Sequence, residues 1–196
     1  MVVEAQKLKR RQAIAQCSFA LALTFAVAAR ASSEAYVVDG SCRDGAPNGA
    51  YALRTADGRV RIVGAFAKGR RTGTFLFWTS SGTRVAVIPY DDNAKVGTVA
   101  LWYATKKPPD SRRKLESAYT GGILHGLTRS WHPNGKPRTE YRYERGLLVD
   151  ARAWSASGKT LSSAEALRLA EGDRTADEKL YAGLEQMIAD HSPRCE

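Results

Sequence analysis

Short segments of the chain alternate apolar and polar residues with a period of two. In the clearest segment, Lys136–Tyr143, the rings of Tyr141 and Tyr143 fall on one face and the charged Glu140 and Arg142 on the other. This spacing is typical of a β-strand with one buried face. Dipeptides typical of tight hairpin turns lie between such segments: Asp57-Gly58, Ser81-Gly82, Asn134-Gly135 and Ser157-Gly158. The pattern therefore predicts successive β-hairpins.

Glycines and rings recur with a fixed period, which indicates that the hairpins are repeats. Gly49, Gly73 and Gly97 are 24 residues apart, and Gly126 follows after 29 because an insertion precedes it. Once the insertion is discounted, an aromatic residue lies 17 residues after each glycine: Phe66, Tyr90, Tyr119 and Tyr143. A further column holds Gly69, Asn93, Gly122 and Gly146. Asn is the residue best able to replace Gly where φ is positive.

A column of tryptophans, Trp78, Trp102 and Trp131, lies five residues after the glycines at 73, 97 and 126. Trp154 occupies the same position in a degenerate last unit, and Arg54 occupies it in the first. A single hairpin buries too little surface to be stable alone, so the units are expected to stack in register around a shared aromatic core. We predict a mainly β fold, an elongated antiparallel meander of stacked hairpin repeats over residues 49–161, with about four units and a degenerate fifth.

The repeat resembles a known family. The segment Gly122–Gly146, GILHGLTRSWHPNGKPRTEYRYERG, is similar to a MORN repeat, and most similar to the bacterial variant labelled as a toxin–antitoxin-type antitoxin component. The segment Gly69–Gly82 matches almost as well, and the resemblance covers roughly Gly45–Lys159. It implies an elongated meander of hairpins used for protein–protein contact, scaffolding or membrane association. We do not carry over an antitoxin activity.

Helical patterns replace the hairpin pattern after the repeats. Ser162-x-x-Glu165 and Thr175-x-x-Glu178 both have the form of a capping box, and each precedes a helical pattern. The second pattern has one apolar stripe: Leu180, Tyr181, Leu184, Met187 and Ile188. Repeat arrays need a cap that shields the terminal core from water, so we predict that residues 162–196 form a helical cap. The alternative is a partner-binding helix.

The first 31 residues have the layout of a secretory signal peptide. A basic cluster around Lys9 precedes an uncharged, partly apolar run over residues 12–29, which ends in small residues. We expect cleavage near residue 31, a separate N-terminal segment over 32–48, and a periplasmic or secreted mature protein. The alternative is an inner-membrane anchor, although the run is marginal in length for a bilayer. The leader holds five of the 30 basic and one of the 20 acidic residues, so its removal lowers the net charge from +10 to +6.

Two of the three cysteines, Cys42 and Cys195, remain after the leader is removed, one near each end of the mature chain. In an oxidising compartment an isolated pair of cysteines indicates one disulfide. The alternative is two free thiols in unrelated places. We predict a disulfide between them.

The insertion over residues 105–114 contains two prolines and a dense basic cluster: Lys106, Lys107, Arg112, Arg113 and Lys114. One interpretation is a basic finger that binds an anionic membrane surface, an envelope polymer or an acidic partner. The other is a solvated loop without a partner. Together with the three tryptophans at 78, 102 and 131, these five residues are the candidate binding residues.

No sequence motif indicates catalysis. His125 and His132 flank Trp131 in one hairpin, without a cysteine or paired carboxylates at metal-ligand spacing, so no metal site is predicted. Phosphate loops, nucleophile elbows and zinc-binding helices are absent from the sequence, and no cofactor is predicted. We therefore expect an exported, non-catalytic protein-interaction or scaffolding module, with an unknown protein partner and no nucleic acid. The alternative is a binder of anionic membrane or envelope polymer through the insertion.

Overall fold

The computed structural model describes residues 35–104 and 112–196, and these form one antiparallel sheet with one helix packed against it. The strands are β1 (Tyr36–Arg43), β2 (Ala46–Thr55), β3 (Val60–Ala67), β4 (Arg70–Trp78), β5 (Arg84–Asp91), β6 (Ala94–Lys95), β7 (Gly97–Trp102), β8 (Arg113–Thr120), β9 (Ile123–Trp131), β10 (Pro137–Glu144) and β11 (Leu147–Ala153). The helix α1 spans Ser163–Asp190. The leader at 1–31 and the insertion residues Lys106 and Lys107 lie outside the described residues.

The sheet is a meander in which each strand pairs with its neighbour in sequence. The order is β1-β2-β3-β4-β5-β7-β8-β9-β10-β11, and the two-residue β6 pairs with the end of β5. All of the pairings are antiparallel. The predicted mainly β class and antiparallel meander are confirmed.

Two-residue turns at one side of the sheet explain the second glycine column. Asn93 has a φ of 70°, the left-handed conformation predicted for it, and Asp92 before it has a φ of 49°. Two successive positive φ values are the signature of a tight hairpin turn. The same pair of conformations occurs in the other turns of this side: Asp44-Gly45, Lys68-Gly69, Gly121-Gly122 and Arg145-Gly146.

Each turn after the first also forms a hydrogen bond to the unit before it, and this bond holds successive units at a constant spacing. The second turn residue donates its backbone N–H to a carbonyl in the unit before: Gly69 to Pro47 at 2.8 Å, Asn93 to Arg71 at 3.0 Å, Gly122 to Lys95 at 2.8 Å and Gly146 to Leu124 at 2.8 Å. Gly45 lies 24 residues before Gly69 and so extends the column toward the N-terminus. The strand β1 and this first turn belong to the segment 32–48, which the sequence left outside the repeats.

Ring contacts join the first two units into one core. The ring centroids of Tyr51 and Phe66 are 5.3 Å apart, those of Phe66 and Phe75 are 5.8 Å apart, and those of Phe75 and Tyr90 are 5.4 Å apart. All four rings are buried, and such edge contacts add about 0.5–1.5 kcal/mol each beyond area burial. A smaller, separate cluster forms around Tyr141 and Tyr143. The shared aromatic core is therefore continuous in β2–β5 and interrupted before β10.

The C-terminal region is one helix and not the two helices that the sequence indicated. Ser162 forms the predicted capping box with Glu165 at the start of α1. The second predicted box is helix interior, where Thr175 Oγ1 donates to the carbonyl of Glu171 at 3.2 Å. A Thr on an exposed helix face can bond to its own helix in this way, so the motif alone does not distinguish a helix start from a helix interior.

The helix runs across one face of the sheet, from β10 back to β2, instead of covering its end. Its contacts along this path are Asp173 with Arg138, Tyr181 with Tyr119, Glu185 with Tyr90, and the His191 carbonyl with Tyr51. Tyr181 and Ile188 of the predicted apolar stripe are buried, whereas Leu180 is 37% exposed. In the described part of the chain, no helix is long and apolar enough to cross a membrane.

A disulfide fastens the end of the chain to β1. Cys42 and Cys195 are bonded, with their Cα atoms 5.7 Å apart, as the sequence predicted. The pair links positions 153 residues apart in sequence. At the other end of β1, the rings of Tyr36 and His191 lie edge to face with centroids 4.7 Å apart. The residues that follow α1 are thus tied to the first strand.

Candidate functional site

The tryptophan column lies on the face of the sheet that α1 does not cover, here called the helix-free face. Each tryptophan directly follows a residue buried under the helix side, for example Trp78 after Phe77 and Trp102 after Leu101. Because successive strand residues point to opposite faces, the indoles project away from α1. All of them, including Trp131 and Trp154, are half-buried. The structure brings the predicted Trp78, Trp102 and Trp131 into one row.

Arginines alternate with the indoles in this row, because the strand pairing places a basic residue opposite two of them. Trp78 pairs with Arg84, and Trp102 pairs with Arg113. The guanidinium carbons of Arg84 and Arg113 each lie 4.5 Å from the centroid of the Trp102 ring. Such cation–π contacts contribute about 0.5–1 kcal/mol each at exposed sites. Arg113 also forms an ion pair with Glu116. Arg84 was missed in the sequence, where only the insertion drew attention to basic residues.

The rest of the helix-free face divides into an apolar and a charged part. A second row of paired residues crosses the strands of this face. In β3, β4, β5 and β7 it consists of Val63, Leu76, Val87 and Ala100. Across β8, β9, β10 and β11 it holds Glu116, Arg129, Glu140 and Arg152. Opposite charges therefore stand side by side in the second part, with Arg129 Nε 2.9 Å from Glu140 Oε2. The apolar part lies beside the Trp–Arg row, and its side chains remain available for contact with another molecule.

The three described basic residues of the insertion do not lie together. Arg112 is exposed, and its Nη1 donates to the Pro133 carbonyl at 3.4 Å. Arg113 belongs to the row on the helix-free face. Lys114 is an extra residue at a register shift between β7 and β8, and it lines the space under α1. A β-bulge of this kind redirects a side chain, so the basic cluster is divided between the two faces.

A second candidate, here called the helix–sheet cavity, lies between α1 and β7–β10. Its volume is about 500 Å³, within the range of about 300–1,000 Å³ typical of small-molecule sites. Five tyrosines, four cationic side chains and four carboxylates line it. The motifs and repeat columns of the sequence did not predict this cavity.

Two carboxylates of α1 that line this cavity have different environments. Burial, together with the neighbouring charge of Asp173, raises the pKa of Asp177 to about 6. Burial also acts to raise the pKa of Glu185, but the charges of Lys95 and Arg71 outweigh it and leave that pKa below its usual value. Glu185 Oε1 lies 3.1 Å from Lys95 Nζ and 3.4 Å from an Arg71 nitrogen. The described residues place no basic side chain in an ion pair with Asp177.

The histidines of the hairpin at 125–132 serve the packing of neighbouring units. His132 Nε2 lies 2.8 Å from the carbonyl of Trp154, and His125 Nδ1 accepts from the Arg145 backbone at 3.3 Å. Among residues 35–104 and 112–196, no group of three or more potential ligands could hold a metal ion.

The chain matches no protein-family model, and no curated protein is significantly similar to it. The resemblance to MORN repeats therefore stays a prediction.

Proposed function

We propose that this chain is a non-catalytic interaction protein of the MORN type, which binds an acidic segment of a partner protein on its helix-free face. The carrying observation is the row in which the Trp102 ring lies between the guanidinium groups of Arg84 and Arg113. Aromatic rings and arginines are the residues enriched at protein interfaces, where they supply most of the binding energy. The adjoining apolar row offers contact area to the same partner.

Charge favours an acidic partner. Arg84 is exposed, and Arg113 keeps 38% of its side chain exposed although it pairs with Glu116. The chain from residue 32 onward has a net charge of +6. A carboxylate of the partner can approach either guanidinium from solvent while apolar side chains cover Trp102.

The proposal places the protein outside the cytoplasm. The Cys42–Cys195 disulfide supports this, because such bonds persist in oxidising compartments. The expected signal peptide over residues 1–31 would deliver the chain there.

Photo-crosslinking tests the proposed face. Benzoylphenylalanine replaces Leu76, which is partly exposed on the helix-free face, or Leu167, which is 54% exposed on α1 and serves as the matched control. A protein captured from envelope extract only through position 76 is then purified. We expect the Arg84→Gln/Arg113→Gln variant to bind it at least ten-fold more weakly, and Arg168→Gln, a charge change on α1, to bind it normally. Capture of the same proteins at both positions, or unaltered affinity in the double variant, would rule out this face.

The second candidate function is binding of an anionic membrane surface or envelope polymer through residues 105–114. The exposed Arg112 at the base of this segment supports it. Its test is binding to vesicles of phosphatidylglycerol and to lipopolysaccharide across salt concentrations. Affinity for either probe that disappears at high salt and needs the basic residues of 105–114 would favour this function. Affinity that is unchanged when those residues are neutralised would exclude it.

A further inference from the structure

Hydroxyl side chains replace large apolar ones under α1 at one position of the third repeat and two positions of the fourth, and this replacement creates the helix–sheet cavity. The equivalent positions, counted from the lead glycines, are Val99 and Thr128, Leu101 and Ser130, and Ile88 and Ser117. The first member of each pair is in the aromatic core, and the second lines the cavity. Removal of large apolar side chains from a core costs about 2–5 kcal/mol per site unless the space is filled. Ser117 of the third repeat, and Thr128 and Ser130 of the fourth, therefore leave space that larger side chains fill at the equivalent positions.

Two buried hydroxyls in this region have unused hydrogen-bonding capacity. Thr128 is 5% exposed and Tyr181 is 3% exposed, both line the cavity, and within the described residues neither hydroxyl has a hydrogen-bond partner. The hydroxyls of Ser117 and Tyr119 influence the pKa of Tyr181, but they do not reach hydrogen-bond geometry with it. A buried hydroxyl left unpaired costs about 1–3 kcal/mol. This cost disappears if a bound molecule supplies donors and acceptors.

The lining charges are balanced. Four cationic side chains face four carboxylates, so the cavity offers no net attraction to an ion of either sign. Most of these groups are already paired, as Arg138 is with Asp173 and Lys95 with Glu185. Lys114 and Asp177 have no ion pair at contact distance among the described residues, and they supply a donor and an acceptor.

We propose that the helix–sheet cavity binds a neutral polyhydroxylated ring, that is, a sugar unit, either free or at the end of a glycan chain. The hydroxyls of such a ring can both donate and accept, as Thr128, Tyr181, Lys114 and Asp177 require. The C–H face of the ring packs on tyrosine rings, whose flat apolar surfaces and polar tips suit an amphipathic ligand. The cavity is on the opposite face from the proposed protein interface, so the two proposals stand independently.

The test uses the full chain and saturation-transfer NMR with calorimetric titration. The probes are glucose, N-acetylglucosamine and their β-1,4-linked disaccharides, with choline and inorganic phosphate as charged comparisons. Tyr181→Phe and Thr128→Val each remove one unpaired hydroxyl and keep the side-chain shape. Thr98→Val makes the same change at an exposed position on the helix-free face and is the control.

We expect at least one of the sugars to bind, with affinity reduced ten-fold or more in Tyr181→Phe and in Thr128→Val and unchanged in Thr98→Val. The urea midpoints of the two cavity variants should equal or exceed that of the parent, because each removes an unpaired buried hydroxyl. Binding of disaccharides alone identifies a glycan chain as the source, and equal binding of monosaccharides identifies a free sugar. Absence of binding at millimolar concentrations, preference for choline or phosphate, or equal affinity in the cavity variants would overturn the proposal.

Discussion

Arg138 on β10 binds both carboxylate oxygens of Asp173 on α1, at 2.7 and 2.9 Å. The phenol of Tyr141 donates to the same carboxylate at 2.9 Å. The side chains of Arg138 and Asp173 are only 27% and 24% exposed, so this pair joins the first half of the helix to the sheet in a partly desolvated setting.

Asp173→Asn should therefore destabilise the fold. The substitution leaves the Arg138 guanidinium without a countercharge and weakens the bond from Tyr141, for a loss of about 2 kcal/mol in the free energy of unfolding. Urea denaturation followed by circular dichroism measures it. The control is Asp92→Asn, which removes the exposed ion pair with Arg70, side chains 59% and 62% exposed. Its midpoint should stay at the parental value, and equal losses in the two variants would contradict the structural role of Asp173.

Reduction of the Cys42–Cys195 disulfide should lower stability substantially. The bond links positions 153 residues apart, and in the chain-entropy model a loop of that length contributes about 5 kcal/mol before strain. The Cys42→Ser/Cys195→Ser variant and the dithiothreitol-treated parent should unfold at similarly lowered urea concentrations. Hydrogen exchange should also accelerate around His191. A urea midpoint unaffected by reductant would show that the ends of the chain are held by their other contacts.

The half-buried Asp177 carboxyl predicts a contribution to stability that decreases as pH rises. Its pKa is about 6 in the folded chain, against an ordinary value of 3.8, so between these values the folded state binds more protons than the unfolded state. The free energy of unfolding thus falls as pH rises through this interval, and the penalty is complete above the folded pKa. Relative to the parent, Asp177→Asn should be more stable by about 2 kcal/mol near pH 8, and the difference should vanish near pH 3, below both pKa values.

Thermal unfolding of both proteins across this pH range tests that prediction. Glu171→Gln removes an exposed carboxylate from the same helix and is the matched control for the loss of a negative charge. A constant difference for Asp177→Asn would mean that Lys114 and Arg138 offset burial and the charge of Asp173 and keep the Asp177 pKa near its ordinary value.

At the left-handed turn residue Asn93, the contributions of backbone strain and of the side chain to the free energy of unfolding can be measured separately. Its φ is 70°, and its Oδ1 accepts from the Arg71 backbone at 2.8 Å. Asn93→Ala should cost about 2 kcal/mol, because it loses this bond and strains the backbone. Asn93→Gly loses the bond alone and should cost about half as much. Equal urea midpoints for the two variants would show that backbone strain does not matter at this turn.

The repeat columns were readable from sequence because each is fixed by local backbone geometry. A positive φ restricts a position to glycine and a few tolerant residues, so Gly69 and Asn93 mark successive turns. A shared face likewise restricts Phe66 and Tyr90 to large rings. Constraints that recur at one spacing give a signal that a single sequence contains.

The position of α1 could not be predicted from the sequence, because an apolar stripe does not show which surface it packs against. Tyr181 and Ile188 indicated a buried helix face, but covering the end of the array and crossing the sheet bury the same stripe. The crossing depends on long-range pairs such as Arg138 with Asp173, which no local pattern specifies. The helix–sheet cavity was also missed, although the sequence contained a signal for it. Thr128 and Ser130 are hydroxyl residues in columns where Val99 and Leu101 are apolar.

Because α1 follows every strand in the chain, all of the strands are synthesised before the helix that covers the sheet. During that interval the rings of Tyr51, Phe75 and Tyr90 face solvent, a state that favours aggregation or capture by chaperones. A premature stop after the last hairpin would yield a complete set of strands with a sticky aromatic surface, and such products should be cleared rapidly by proteases. Shielding of the aromatic core thus depends on one of the last segments of the chain to be synthesised.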